Sequence, residues 1–107
     1  MLVERLLEES VKRNARIWKD LAYRLARPRK LMAEVNASKI NRYAGDSVIV
    51  VPGKVLSSGK LEKSVTVAAL GFSEKAKEKI ESAGGKAITI EDLLEINPEG
   101  SKVMIME

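Results

Sequence analysis

Residues 65–89 read VTVAALGFSEKAKEKIESAGGKAIT, and this stretch decides the fold. Val65–Leu70 is a short apolar run with β-branched residues at its head, the composition of a strand. Ser73 can accept a hydrogen bond from a free amide of a following helix, and Glu74 places a carboxylate at that helix's positive end. Ala76, Ile80 and Ala83 then recur at helical spacing as an inward face, leaving Lys75, Lys77, Glu78 and Lys79 for water. Gly84-Gly85 ends the helix, and Lys86–Thr89 is a second short strand. Strand, helix and strand in quick succession define the α/β class.

The alternation continues on both sides. Thr89-Ile90-Glu91-Asp92 fits a capping box ahead of Leu93 and Leu94. Asn97–Gly100 predicts a turn, and Lys102–Met106 a last strand. Towards the N-terminus, Ser47–Val51 reads as a buried strand. Pro52-Gly53 predicts a turn, Lys54–Leu56 a short extended piece, and Ser57–Lys60 a loop of small residues between lysines. Residues 44–107 are thus expected to form an α/β body.

Residues 2–26 read as helix, because Leu2, Leu6, Val11, Trp18, Leu21 and Leu25 fall near one stripe. Asn14 interrupts the stripe and predicts a bend or two helices. Lys12, Arg16, Lys19 and Tyr23 share another face at i, i+4, i+7 and i+11. Pro28 stops the helix, since it disfavours helical Arg27 and donates no N–H. A short helix capped by Asn36 or Ser38 should run to Tyr43 and end at Gly45. The expectation is one domain over residues 1–107: a compact, three-layer-like α/β arrangement of short alternating strands and helices. Its basic helical N-terminal region spans 1–43.

The chain has neither cysteine nor histidine, which removes thiolate chemistry and the commonest general base and metal ligand. Gly84-Gly85-Lys86-Ala87 lacks the upstream glycine and the hydroxyl residue of a phosphate loop. These absences argue against an enzyme, a cofactor and a small-molecule substrate. No apolar run is long enough for a membrane span, the N-terminus resembles no signal peptide, and a cytoplasmic location is the default.

Net charge is +4, but unevenly placed: residues 1–43 hold 11 Lys and Arg against 5 acids, and 44–107 hold 8 lysines against 10 acids. Every arginine lies in the first part. The guanidinium fork matches phosphate oxygens, so this half suggests a polyanion-binding face, the alternative being a solvated basic helix. The candidates there are Lys12, Arg13, Arg16, Lys19, Arg24, Arg27, Arg29, Lys30, Asn36, Ser38, Lys39 and Arg42. Arg27, Arg29 and Lys30 flank a stiffening proline and could follow a phosphate backbone. A charged surface turn is the plainer account. Lys54, Ser57, Ser58 and Lys60 complete the set, in a loop small enough for close backbone approach and able to donate hydroxyl bonds to phosphate or a ribose 2′-OH. A plain hairpin loop would look the same. Trp18 could stack on a base but falls on the apolar stripe, where core packing accounts for it. Tyr23 lies on the basic face.

Several segments in order carry a family resemblance: Ile17-Trp18-Lys19-Asp20-Leu21-Ala22, Arg27-Pro28-Arg29, Ala33–Tyr43, and above all Val50-Val51-Pro52-Gly53-Lys54-Val55-Leu56-Ser57-Ser58-Gly59. Val65–Ala69, Phe72-Ser73, Ala76, Ile80 and Gly84-Gly85 follow. Over essentially the whole chain this resembles the archaeal and eukaryotic large-subunit ribosomal protein family called eighteen-e, related to the C-terminal half of bacterial large-subunit protein fifteen. Ser57 departs from the glycine expected there. The resemblance implies a compact α/β domain bound to large-subunit ribosomal RNA beside neighbouring ribosomal proteins, with no enzymatic activity. An RNA- or DNA-binding module outside the ribosome is the competing expectation.

Overall fold

The computed structural model describes residues 2–107. Helix α1 spans Leu2–Lys12 and α2 spans Arg16–Leu25. Asn14, with φ of +53°, separates them. Asparagine tolerates this left-handed conformation better than most residues, so the interruption in the apolar stripe is also where the helix stops. The basic stripe expected from Lys12 to Tyr23 is therefore divided: Lys12 ends α1, while Arg16, Lys19 and Tyr23 stay together on α2.

A single 3-10 turn at Arg29–Leu31 follows Pro28, and strand β1 then covers Ala33–Asn36. Neither was expected, and β1 places a strand within the region read as helical. Four residues with one β-branched side chain give too short a pattern to recognise. Helix α3 spans Ala37–Tyr43, β2 Val48–Leu56, β3 Thr66–Phe72, α4 Glu74–Ser82, β4 Lys86–Thr89, α5 Ile90–Ile96 and β5 Val103–Ile105.

The five strands form one sheet in the order β1-β2-β3-β4, and every pairing is parallel. Strand β5 shares an edge of β2 with β1. It pairs with Val48–Val50, whereas β1 pairs with Gly53–Leu56. Both faces of the sheet are covered, as an all-parallel sheet requires. On one face α3 and α4 bring Ile40, Ala44, Ala76 and Ile80 against Ile49, Val51, Val55, Val67 and Ala69. On the other, α1, α2 and α5 bring Leu6, Trp18, Leu21, Leu25, Ile90 and Leu93 against Val50 and Ala68. The alternation of Ile49, Val50 and Val51 between faces is the two-residue period of a strand. The expected three layers are present.

The Pro52-Gly53 turn is not. Strand β2 runs straight through both residues, which are buried. Its register against β3 shifts between Val51 and Lys54, and a bulge of this kind accommodates a proline that cannot donate to the ladder. Gly53 serves a different need: a Cβ there would collide with the carbonyl of Ala33 on β1. Since β2 and β3 are parallel, Ser57–Lys60 opens a crossover and is no hairpin loop.

Two expected caps are present: Ser73 Oγ accepts from the Ala76 amide at 3.2 Å, and Thr89 Oγ1 from the Asp92 amide at 3.0 Å. The third differs. Asn36 occupies the cap position of α3 without a side-chain bond, and the Ser38 amide donates to the Ser58 carbonyl at 3.1 Å instead.

Trp18 is fully buried and donates its indole N–H to the Pro98 carbonyl at 2.7 Å, tying α2 to the Asn97–Gly100 turn. Trp18→Ala should therefore cost about 3–5 kcal/mol in urea unfolding; a loss below about 1 kcal/mol would be incompatible with this packing. Gly53→Ala should destabilise by roughly 1–3 kcal/mol or more through overpacking. Amide exchange should show the loss concentrated in β1.

Candidate nucleic-acid interface

The expected site residues fall into four places. The first is the end of α1, where Lys12 and Arg13 are exposed. Arg13 pairs with Glu9 one turn earlier at 3.4 Å, and both cations sit at the helix's negative pole. Helix stabilisation accounts for both.

The second is the outer face of α2. Arg16, Ile17, Lys19, Asp20 and Tyr23 line a shallow depression, with the Lys19 ammonium 5.9 Å from the Tyr23 ring centre. Tyr23 is 62% exposed, so its ring is available to a partner while Trp18 is not.

The third is a knot around Glu107. Arg27 donates to its carboxylate at 2.6 Å and Arg24 pairs with its other oxygen. Lys39 donates to its main-chain carbonyl. Arg24 also meets Asp20 at 3.2 Å, and Arg27 donates to the Arg24 carbonyl at 2.8 Å. These three cations, expected to face a partner, hold the end of α2 and α3 against the segment after β5. The basic corner is thus split: Arg27 turns inward, while Arg29 and Lys30 stay exposed.

The fourth place is the carboxyl end of the sheet. Arg29, Lys30, Met32, Ala33, Glu34, Gly53, Lys54, Leu70 and Gly71 line one open groove. It joins the corner after α2 to the later half of β2, bringing together Lys30 and Lys54, which stand 24 positions apart in sequence. Glu34, Lys54 and Gly71 are lateral neighbours across β1, β2 and β3. Among the described residues no carboxylate lies within salt-bridge distance of Arg29, Lys30 or Lys54. The groove carries three cations against one acid.

Beside it, the Ser57–Lys60 loop is held from below. Lys79 donates to the Ser57 carbonyl and, at 2.6 Å, to the Gly59 carbonyl. Gly59 has φ of +87°, and a Cβ there would collide with Ser38. Ser58, Gly59 and Lys60 are exposed, and among the described residues their amides meet no protein acceptor. Helical spacing assigns Lys79 to solvent, yet it is half-buried. No pattern in the α4 sequence distinguishes it from Lys75 and Lys77, which are exposed. Asn36, Ser38 and Arg42 are exposed on and before α3, with Arg42 5.4 Å from the Tyr43 ring centre. No helix of the described residues is long and apolar enough to cross a membrane.

A helical layer, an all-parallel sheet and a second helical layer, with a cationic groove at the strands' carboxyl end, make this a small basic three-layer α/β protein. Comparison with known proteins gives the family. Residues 19–88 match the ribosomal protein family that groups 50S-L15 and 50S-L18e with their 60S counterpart. The chain is 56% identical over 106 residues to the large ribosomal subunit protein eL18 of Methanococcus maripaludis, covering 98% of this chain and 88% of that protein. It is 57% identical over 106 residues to the eL18 of Archaeoglobus fulgidus, covering 98% and 91%. The eL18 of Methanospirillum hungatei is 53% identical over 104 residues, covering 95% and 86%. The chain belongs to this family of ribosomal proteins.

The divided corner separates structure from binding. Arg27→Ala removes a half-exposed ion pair and should cost roughly 0.5–1 kcal/mol. Arg29→Ala, with no salt-bridge partner among the described residues, should leave stability within about 0.5 kcal/mol. Paired urea titrations check this, and equal losses would show that Arg29 has a structural contact.

Proposed function

We propose that this chain is a non-catalytic constituent of the large ribosomal subunit, in the cytoplasm, that binds and stabilises ribosomal RNA among neighbouring ribosomal proteins. Its relatives carry the name of a large-subunit protein and align with nearly all of it. The observation that carries the RNA-binding part is the convergence of Arg29 and Lys30 with Lys54 in one groove, without carboxylate partners among the described residues. Cations that stabilise nothing within the chain are available to neutralise phosphates.

The surrounding residues extend this reading. The hydroxyls of Ser57 and Ser58 lie on a loop whose carbonyls are already engaged from within, so that its donors are left for a partner. Donors of this kind suit phosphate oxygens and the ribose 2′-OH. Arg16, Lys19 and Tyr23 offer a second basic strip with one exposed ring. Arg24, Arg27 and Lys39 contribute by holding the frame, and Arg42 and Lys60 add exposed charge.

Replacing Arg29, Lys30 and Lys54 together by alanine should leave folding intact and weaken binding to large-subunit ribosomal RNA. The slope of log K against log salt should fall by roughly 0.7–0.9 for each phosphate no longer neutralised. Lys75→Ala with Lys77→Ala, on the outer face of α4, serves as the control that leaves the slope unchanged. An unaltered slope in the folded triple variant would overturn the groove's role. Sedimentation of native extract tests the setting: the chain should travel with large subunits, whereas a nucleic-acid module outside the ribosome would not.

A further inference from the structure

Gly71 is a glycine that the fold does not require. It lies within β3, where glycine weakens a strand because it has no side chain to pack and loses more freedom on ordering. Its φ is not positive, so any residue can adopt its backbone conformation. A Cβ built there meets nothing within 4 Å, so no neighbour demands the missing side chain either. Gly53, paired with Ala33 of β1, is the contrast: there the carbonyl of Ala33 occupies the space. A strand glycine with neither conformational nor packing need marks a place where something outside the chain approaches closely.

The surroundings indicate what approaches. Gly71 is the lateral neighbour of Lys54, so its missing side chain widens the groove beside that ammonium. Leu70, half exposed, supplies an apolar wall on the same strand. Arg29 and Lys30 stand across the groove. The space is about 560 Å³ and carries an excess of positive charge. A continuous duplex presents phosphates to a protein surface and leaves an apolar wall without a partner. An unpaired nucleotide presents a flat base for the apolar wall and a phosphate for each rim.

We propose that this groove receives one unpaired nucleotide of RNA, its base against Leu70 and over Gly71, its flanking phosphates on Arg29, Lys30 and Lys54. The proposal rests on the RNA-binding reading above and adds the form of RNA that this surface takes.

The test fills the gap without touching the charges. Gly71→Val should fold as well as the parent or better, because valine favours strands and the space is open. It should weaken binding to protein-free large-subunit ribosomal RNA about tenfold, the contribution of one stacked base. Lys54→Ala is measured alongside. If Gly71→Val binds like the parent while Lys54→Ala binds more weakly, the nucleotide proposal falls and the RNA-binding reading stands. If neither variant changes affinity, the reading of this groove as an RNA surface falls as well. A photoreactive benzoylphenylalanine in place of Leu70, in protein assembled into subunits, then locates the contact. Cross-links to an unpaired nucleotide support the proposal. Cross-links to paired nucleotides only, or to another protein, overturn it.

Discussion

Everything in this molecule is hung on strand β2. It is buried on both faces and hydrogen-bonded on both edges, and one of those edges is shared end to end by two strands from opposite ends of the sequence. The sharing is possible because residue 53 has no side chain. With Gly53, β1 can lie against the second half of β2; with any larger residue the Ala33 carbonyl would be displaced. The bulge at Val51–Lys54 then lets β2 remain paired with β3 on its other edge despite a proline in its middle.

That arrangement also decides where the cations stand. The chain leaves the carboxyl ends of β1, β2 and β3 towards the face covered by α3, α4 and the Leu61 crossover. The α1, α2 and α5 layer packs over Val50 and Ala68, in the earlier halves of β2 and β3. The later halves on that side are left without a helix, and Lys54 and Leu70 emerge there. The turn after α2 then delivers Arg29 and Lys30 to the same opening. A recess at the carboxyl end of a parallel sheet is where α/β proteins commonly place ligands. Here it follows from which way three crossovers turn.

The elements with a local physical signature were legible in the sequence. The αL break at Asn14, the caps at Ser73 and Thr89, the paired glycines after α4 and the burial of Trp18 each follow from a few neighbouring residues. What was not legible depends on pairing across distance. Ala33–Asn36 is a strand because β2 offers it an edge, and Pro52-Gly53 is a bulge because two strands flank it. Neither property exists in the residues alone. The candidate site divides in the same way. The excess of arginine was plain, but a composition cannot tell that Arg24 and Arg27 turn inward to Glu107 while Arg29 and Lys30 turn out. Nor can it tell that Lys54 joins the latter pair, or that Lys79 supports the Ser57–Lys60 loop.

The end-to-end edge of β2 has a bearing on how the protein is made. Val48–Val50 find their partners in Val103–Ile105, more than fifty residues later in synthesis. Until that segment leaves the exit tunnel, a growing chain holds β1 to β4 together with half of its central strand unpaired along one side. Such an edge is an invitation to another extended chain. Completion of the sheet is thus a late event in translation, and the interval before it is when this protein most needs protection from association with its neighbours.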